Sequence, residues 1–328
     1  MRRLTLFHNH RIAAALAGMI LVCVLALAPQ ALAGPDGQGV LHFTVMVHLE
    51  GWDDANSEGA FQKHAALVRQ YAELFERYGA RLTLESREFT AGCIAWNDNV
   101  LKELEDRGHA IGVHADIGGS RKTTQKELTE GIREMKAELE SLGVTVRHVS
   151  GVCSDKNWVQ ACIDAGYEAV TGVVSYGLWS LDEENRPEGF EPYANPAAGH
   201  EAYPWDTAGR VSPWRTSDGK NWIAPDPSGA LLIIPSGISL VYACGNQTGQ
   251  EDKGLNKADI DTWRQTLDEA LTYTDSGRIN TYYAAWSLGS AVNTGVLEAW
   301  LQMIDEYVRD GRIVWTTIPG MIDLYNRQ

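Results

Sequence analysis

Several large classes of protein are excluded by what this chain lacks. Cysteine occurs five times in 328 residues and never as Cys-x-x-Cys, a spacing that thiolate metal sites favour. No Gly-x-Gly-x-x-Gly follows the first predicted strand, which weakens a dinucleotide-binding reading. Basic residues are scarce, 28 against 43 acidic, for a net charge of -15. Nucleic acid is therefore not an expected partner, because phosphate attracts Lys and Arg. Internal repeats and low-complexity tracts are absent, and beyond residue 33 no apolar run is long enough to cross a bilayer.

The beginning of the chain reads as a targeting segment. Arg2, Arg3 and Arg11 precede the apolar stretch "IAAALAGMILVCVLALA", and Ala31 to Ala33 offer small residues before Gly34. That is the pattern of a secretory signal over residues 1–33, giving a secreted or periplasmic protein with no stable membrane span. The alternative is an uncleaved anchor, since the apolar stretch approaches bilayer length. Residues 34–328 are expected to form one domain.

Cys23 falls within the signal; Cys93, Cys153, Cys162 and Cys244 remain. An even count in an exported protein points to disulfides, with three pairings open. A thiolate metal site is the alternative. Cys153 could also serve as a nucleophile, although no histidine is fixed beside it.

Hydrophobic spacing alternates between periods of two and 3.6. Strands are predicted over 41–51, 81–87, 109–116, 146–152 and 167–175. Helices are predicted over 58–79, 97–108, 124–143 and 157–166, most of them ending at Gly. From Tyr176 to Gly229 the chain is rich in Trp, Pro, Gly and Asp with little periodicity, a length usually reserved for a functional insert. Strands and helices then resume with "ALLIIP". The alternation predicts an α/β fold, a deformed (β/α) barrel of about seven to eight parallel strands. An open doubly wound sheet is the alternative.

In such a barrel the site lies at the C-terminal ends of the strands. The first strand ends His48-Leu49-Glu50-Gly51 and the third ends His114-Ala115-Asp116. Residues two apart share a face of a strand, so His48 with Glu50, and His114 with Asp116, are expected to point inward. Leu49 and Ala115 then face the helices, while Ala110 and Gly112 leave room inside. Buried charges need partners or a metal. Two imidazoles and two carboxylates at one mouth suit a divalent cation, with Zn²⁺ expected, and a free carboxylate or imidazole as general base. Glu85 and Arg87 end the second strand, where a side chain can reach the same mouth. His42, His64 and His148 are expected to be structural, and His109 to order a turn.

"RGHAIGVHAD" resembles the second motif of polysaccharide deacetylases of the NodB type, carbohydrate esterase family 4. That motif reads G-H-E-I-G-x-H-T-x-x-H after an "L.RG" helix end, and "LKELEDRGHAIGVH" matches through His114. "PWRTSDGKNW…LLIIP" and the tail "GRIVWTTIPGMIDLY" look like later family segments. The resemblance implies a deformed β/α barrel and metal-dependent deacetylation. It places Glu50 and His114 on the family's metal-binding Asp and first His. The second His falls on Gly118, so Asp116 is expected as third ligand beside Glu50 and His114. The family's base falls on Leu49, leaving His48 or Asp116 to serve as catalytic groups. The late catalytic His is replaced near Trp286 or Ser287.

Trp205, Trp214 and Trp222, with Arg215, lie in the long insert. Sugar rings stack on aromatic faces, so these four are candidate contacts for a polysaccharide or amino-sugar glycan; the alternative is that they fill a small core of their own. The reading is an exported metal-dependent hydrolase that removes N- or O-acetyl groups from a polysaccharide. Its alternative is a non-catalytic glycan-binding protein. Glu50 and Asp116 as acid and base of a glycoside hydrolase is a third option.

Overall fold

The structure, a computed structural model, describes residues 38–51, 53–117, 123–190, 201–235, 237–240, 255–288 and 293–328. The expected signal at 1–33 and Cys244 lie outside them. Strands and helices alternate from Leu41. The first half contains β1 (Leu41–Leu49), α1 (Glu58–Glu76), β2 (Thr83–Ser86), α2 (Glu88–Trp96), α3 (Val100–Asp106), β3 (Ala110–His114), α4 (Gln125–Ser141), β4 (Val146–Ser150), α5 (Trp158–Asp164) and β5 (Ala169–Val170). The rest contains α6 (Thr207–Arg210), β6 (Trp214–Thr216), β7 (Leu231–Ile233), β8 (Ile238–Ser239), α7 (Lys257–Thr272), β9 (Asn280–Ser287), α8 (Thr294–Arg309), β10 (Ile313–Trp315) and α9 (Ile318–Tyr325).

Local chemistry explains where the helices begin. The Ser57 side chain accepts from the Ala60 amide at the start of α1, and Asn157 accepts from Gln160 at the start of α5. Thr124 with Glu127, and Asn256 with Asp259, form reciprocal capping boxes on α4 and α7. Helix α2 escapes the sequence pattern. Its residues "EFTAGCIAW" are mostly apolar with no polar stripe, and Gly92 sits inside it against Phe61 and Asp54.

The strands form one curled sheet in the order β6-β7-β5-β4-β3-β2-β1-β9-β8, with β10 also pairing the start of β1. Every pairing is parallel except β6 with β7. Between the two ends of this path, the Thr281 amide of β9 donates to the Val211 carbonyl just before β6 (3.1 Å). The result is the deformed α/β barrel that the alternation predicts, with an antiparallel strand added inside the expected insert.

Alternation along β1 sorts its residues. Leu41, Phe43, Val45, Val47 and Leu49 join the main apolar core under the helices. Met46 joins a second cluster with Ala169, Leu232, Ile234, Tyr283 and four residues of α9. His42, Thr44 and His48 share Met46's phase. The Tyr283 hydroxyl accepts from the Gly172 amide (2.7 Å), tying β9 to the chain after β5.

Cys93, Cys153 and Cys162 are free and buried, which corrects the expected disulfides. Each packs as a small apolar side chain in the main core. Burial pushes Cys93 up to about 12, Cys153 up to about 11 and Cys162 well above its usual value. All three are thiols at neutral pH, which also removes Cys153 as a nucleophile.

Candidate metal centre

Four adjacent strands deliver the polar cluster. His48 comes from the end of β1, Glu85 from β2, His114 from the end of β3 and Ser150 from the end of β4. Glu50 follows β1 directly. Register places His48 opposite Glu85 and His114 opposite Ser150, so the groups meet at one level of the barrel.

The two imidazoles stack, with ring centroids 4.0 Å apart and planes 28° from parallel. Glu50 joins them. Its Oε2 lies 2.8 Å from His114 Nε2, and its Oε1 lies 3.7 Å from His48 Nδ1. Ser287, opposite His48 on β9, donates to the same Oε1 (3.0 Å). Glu85 lies on the inner side and is fully buried. Its Oε2 is 3.2 Å from His48 Nε2 and accepts a very short hydrogen bond from Ser150 Oγ. Its Oε1 accepts from Thr171 Oγ1 (2.8 Å) and lies 3.4 Å from His148 Nε2. Gly112 makes room for His148: a Cβ there would sit 2.2 Å from its Nε2.

The electrostatics follow. Burial alone would lower His48, but Glu50 and Glu85 together raise it to about 9. Burial would raise Glu50, yet hydrogen bonds to His114 and His48 hold it well below the usual carboxylate range. Burial opposes Glu85 as well, and His48, His148 and Ser150 bring it to about 2. Burial lowers His148.

The donor set fits a cation. Ser150 has one proton and donates it to Glu85, so its oxygen must accept the bond from His114 Nδ1 (2.8 Å). The other nitrogen of His114, Nε2, faces a Glu50 oxygen 2.8 Å away. Two lone pairs repel at that distance unless a proton or a metal ion lies between. His48 Nε2 is likewise buried without a hydrogen bond. Ligand atoms of His48, Glu85 and His114 all lie within 4.8 Å of one another, close enough to share one ion.

The inward placement of His48, Glu50 and His114 is as expected; that of Asp116 is not. Strand β3 stops at His114, and Asp116 has φ +41°, which breaks the alternation that would aim it inward. Its carboxylate is 55 % exposed and 3.7 Å from Arg87. Glu85 stands where Asp116 was expected as the further anionic ligand. The sequence carries a signal for this, because Thr83 and Glu85 alternate with Leu82 and Leu84 along a short strand. Ser150 and Thr171 had no signal of their own. Leu49 is fully buried under the helices. Trp286 packs against Tyr71 and Phe75, leaving Ser287 as the β9 residue that reaches the site. Gly118 lies outside the described residues.

The insert residues divide. Trp222 is fully buried, its Nε1 donating to the Gly177 carbonyl (3.0 Å), and Trp158 meets it edge-on. Trp214 is 8 % exposed and donates to the Trp222 carbonyl. Neither offers an open ring face, which corrects their expected glycan role: they form the insert's own core. Arg215 is also corrected. It lies opposite Leu232 on β7, and its guanidinium bonds the Gly229 and Ala230 carbonyls before that strand and the Asn326 side chain of the last turn. Trp205 is half-buried just beyond β5, its Nε1 on Ser175 Oγ (3.2 Å) and Tyr203 edge-on to it.

No family model and no curated protein matches the sequence. Solved structures do match. An allantoinase, titled "Puue Allantoinase", aligns with a TM-score of 0.57 at 11 % identity, over 92 % of this chain and 94 % of its own. A putative polysaccharide deacetylase from Mycobacterium smegmatis aligns at 0.55 and 9 % identity, over 91 % and 94 %. A probable polysaccharide deacetylase from Pseudomonas aeruginosa PAO1 aligns at 0.53 and 13 % identity, over 88 % and 91 %. The chain has the NodB-like deacetylase fold, in a divergent form. At such identities the likeness speaks for the fold, and function rests on the site.

Proposed function

We propose that the protein is an exported, zinc-dependent hydrolase that removes acetyl groups from the amino sugars of a polysaccharide. The observation that carries this reading is the stacked His48–His114 pair held between the Glu50 and Glu85 carboxylates at the mouth of a deacetylase-like barrel. His48, His114, Glu50 and Glu85 are the residues that would hold the ion. A divalent cation there would supply Lewis acidity toward an acetyl carbonyl and a water nucleophile at neutral pH.

The chain's own groups do the rest. Ser287 and the imidazoles fix Glu50, while Ser150 and Thr171 fix Glu85, so the donor set is pre-formed. Both nitrogens of His48 face carboxylates, which leaves it unsuited to act as an open base. Asp116, exposed at the mouth, is the carboxylate that can take a proton from the attacking water. Trp205, beyond the end of β5, offers a sugar ring a partly open face. Glycosidic cleavage by Glu50 and Asp116 is not favoured, because Glu50 is already held 2.8 Å from His114 and 3.7 Å from His48.

Elemental analysis of purified protein tests the metal directly. About one Zn²⁺ per chain is expected, lost in His114→Ala, with acetate released from an N-acetylated glycan. Protein that takes up no divalent ion ends the proposal. A second reading, a non-catalytic glycan-binding protein, is supported by Leu49, buried where the resemblance puts the base. It predicts sugar binding that depends on Trp205 and no acetate release.

A further inference from the structure

Glu85 is buried to its tips and contacted at both oxygens. Thr171 Oγ1 and Ser150 Oγ donate to it, and nitrogens of His48 and His148 lie at 3.2 and 3.4 Å. A buried carboxylate that takes a hydroxyl donor on each oxygen acts only as an acceptor. The one proton of Ser150 is therefore committed to Glu85. Its remaining contact, His114 Nδ1 at 2.8 Å, must be one in which the ring donates. Tautomer choice at a histidine is set by the bond its other nitrogen makes.

We infer that Ser150 is a positioning residue: it joins Glu85 to His114 in a relay that pins an imidazole proton on Nδ1 and so directs Nε2, the nitrogen left to the ion, at Glu50. The inference rests on the metal reading of the same site and deepens it. Ser150 touches neither ion nor substrate; it decides which nitrogen of His114 is available. The geometry leaves little freedom. Ser150 ends β4 opposite His114, and Gly172 approaches its Cβ so closely that a Cβ on that glycine would lie 3.2 Å away. Thr171 serves as an internal comparison, because it also donates to Glu85 but touches no imidazole nitrogen that would hold the ion.

Zn²⁺ affinity, measured by competition with a chelator, and ¹⁵N–¹H histidine spectra are to be recorded for the wild type, Ser150→Ala, Ser150→Thr and Thr171→Val. Ser150→Ala is expected to lose about 10- to 100-fold in Zn²⁺ affinity, the usual consequence of removing the partner of a ligating histidine. It should also move the His114 proton from Nδ1 to Nε2. Ser150→Thr, which keeps the hydroxyl, should stay within about threefold of wild type, below that range; Thr171→Val, which loosens Glu85 but leaves Ser150 on His114, should weaken Zn²⁺ binding while keeping the His114 proton on Nδ1. A His114 proton that stays on Nδ1 in Ser150→Ala, or that also leaves Nδ1 in Thr171→Val, would show a merely structural effect and overturn the relay. So would an unchanged affinity in Ser150→Ala. Should Ser150→Ala fail to fold, a wild-type spectrum with no proton on His114 Nδ1 overturns it alone. A wild type that binds no Zn²⁺ overturns the metal reading and the relay together, and that failure is seen before any substitution is made.

Discussion

At the proposed centre a metal ion would compete with a proton for His48, and the competition can be measured. In the metal-free protein Glu50 and Glu85 raise His48 to about 9, so at pH 7 its imidazole is charged in all but about 1 % of molecules. A metal ligand must be neutral. Binding at pH 7 therefore costs the removal of one proton across about two pH units, on the order of 3 kcal/mol. Apparent Zn²⁺ affinity should rise about tenfold per pH unit between pH 7 and 9, then level off. Chelator competition at pH 7, 8 and 9 reads the slope. Calorimetry in buffers of different ionisation enthalpy counts the protons, and at least about one should leave per ion at pH 7. His48→Asn removes the competing base and should flatten the profile at weaker overall affinity. An affinity constant from pH 7 to 9, or uptake with no proton released, would show that His48 does not share the ion's site.

Other outcomes follow from the same structure. His42 is fully buried with no hydrogen bond to either nitrogen, and burial lowers it to about 4. An imidazole held neutral in the fold but protonated in the unfolded chain contributes stability that is whole above pH 6.5 and lost as pH falls toward 4. The span is worth about 3 kcal/mol; urea melts at pH 7 and 4.5 should show His42→Leu with a shallower loss than wild type, and equal losses would contradict the assignment. Trp222→Ala should cost about 3–5 kcal/mol in denaturant midpoint analysis, as expected of an emptied aromatic core site, while leaving glycan binding in folded protein intact. Thiol labelling of the native protein should spare Cys93, Cys153 and Cys162 and reach them after unfolding, with no shift of the three on prior reduction.

Legibility from sequence tracked regularity. The alternation in "LHFTVMVHLEG" separates core from interior along all of β1 and correctly turns His48 and Glu50 toward His114. The same reasoning fails two residues past His114, because a left-handed residue is invisible to a period-two pattern. Glu85 sat in an inward phase on a strand of only four residues, too short for the pattern alone to assign. The tryptophans failed for another reason. Composition marks aromatic surface without saying which way it faces, and Trp214 and Trp222 turn into the insert's own core. For the cysteines, an even count said nothing about where each sulfur packs.

Charge explains how the site can depart from the deacetylase pattern and still suit a cation. The resemblance puts a second histidine at Gly118 and a carboxylate base at Leu49, and neither residue can replace them. What the barrel offers instead is two carboxylates, Glu50 and Glu85, bracketing two imidazoles. Buried charges of one sign need neutralising, and two anionic carboxylates beside neutral rings are balanced by one dication or by two protons. The longer side chain of Glu50 spans both imidazoles while Ser287 holds its far oxygen. Glu85 is anchored from beneath by Thr171 and Ser150. In the proposed site the missing ligand would come from β2, and it would be an anion. Compared with a histidine in that place, an anion would strengthen the pull on a dication and also on protons, so the residue that would complete the proposed site would also make its occupancy depend on pH.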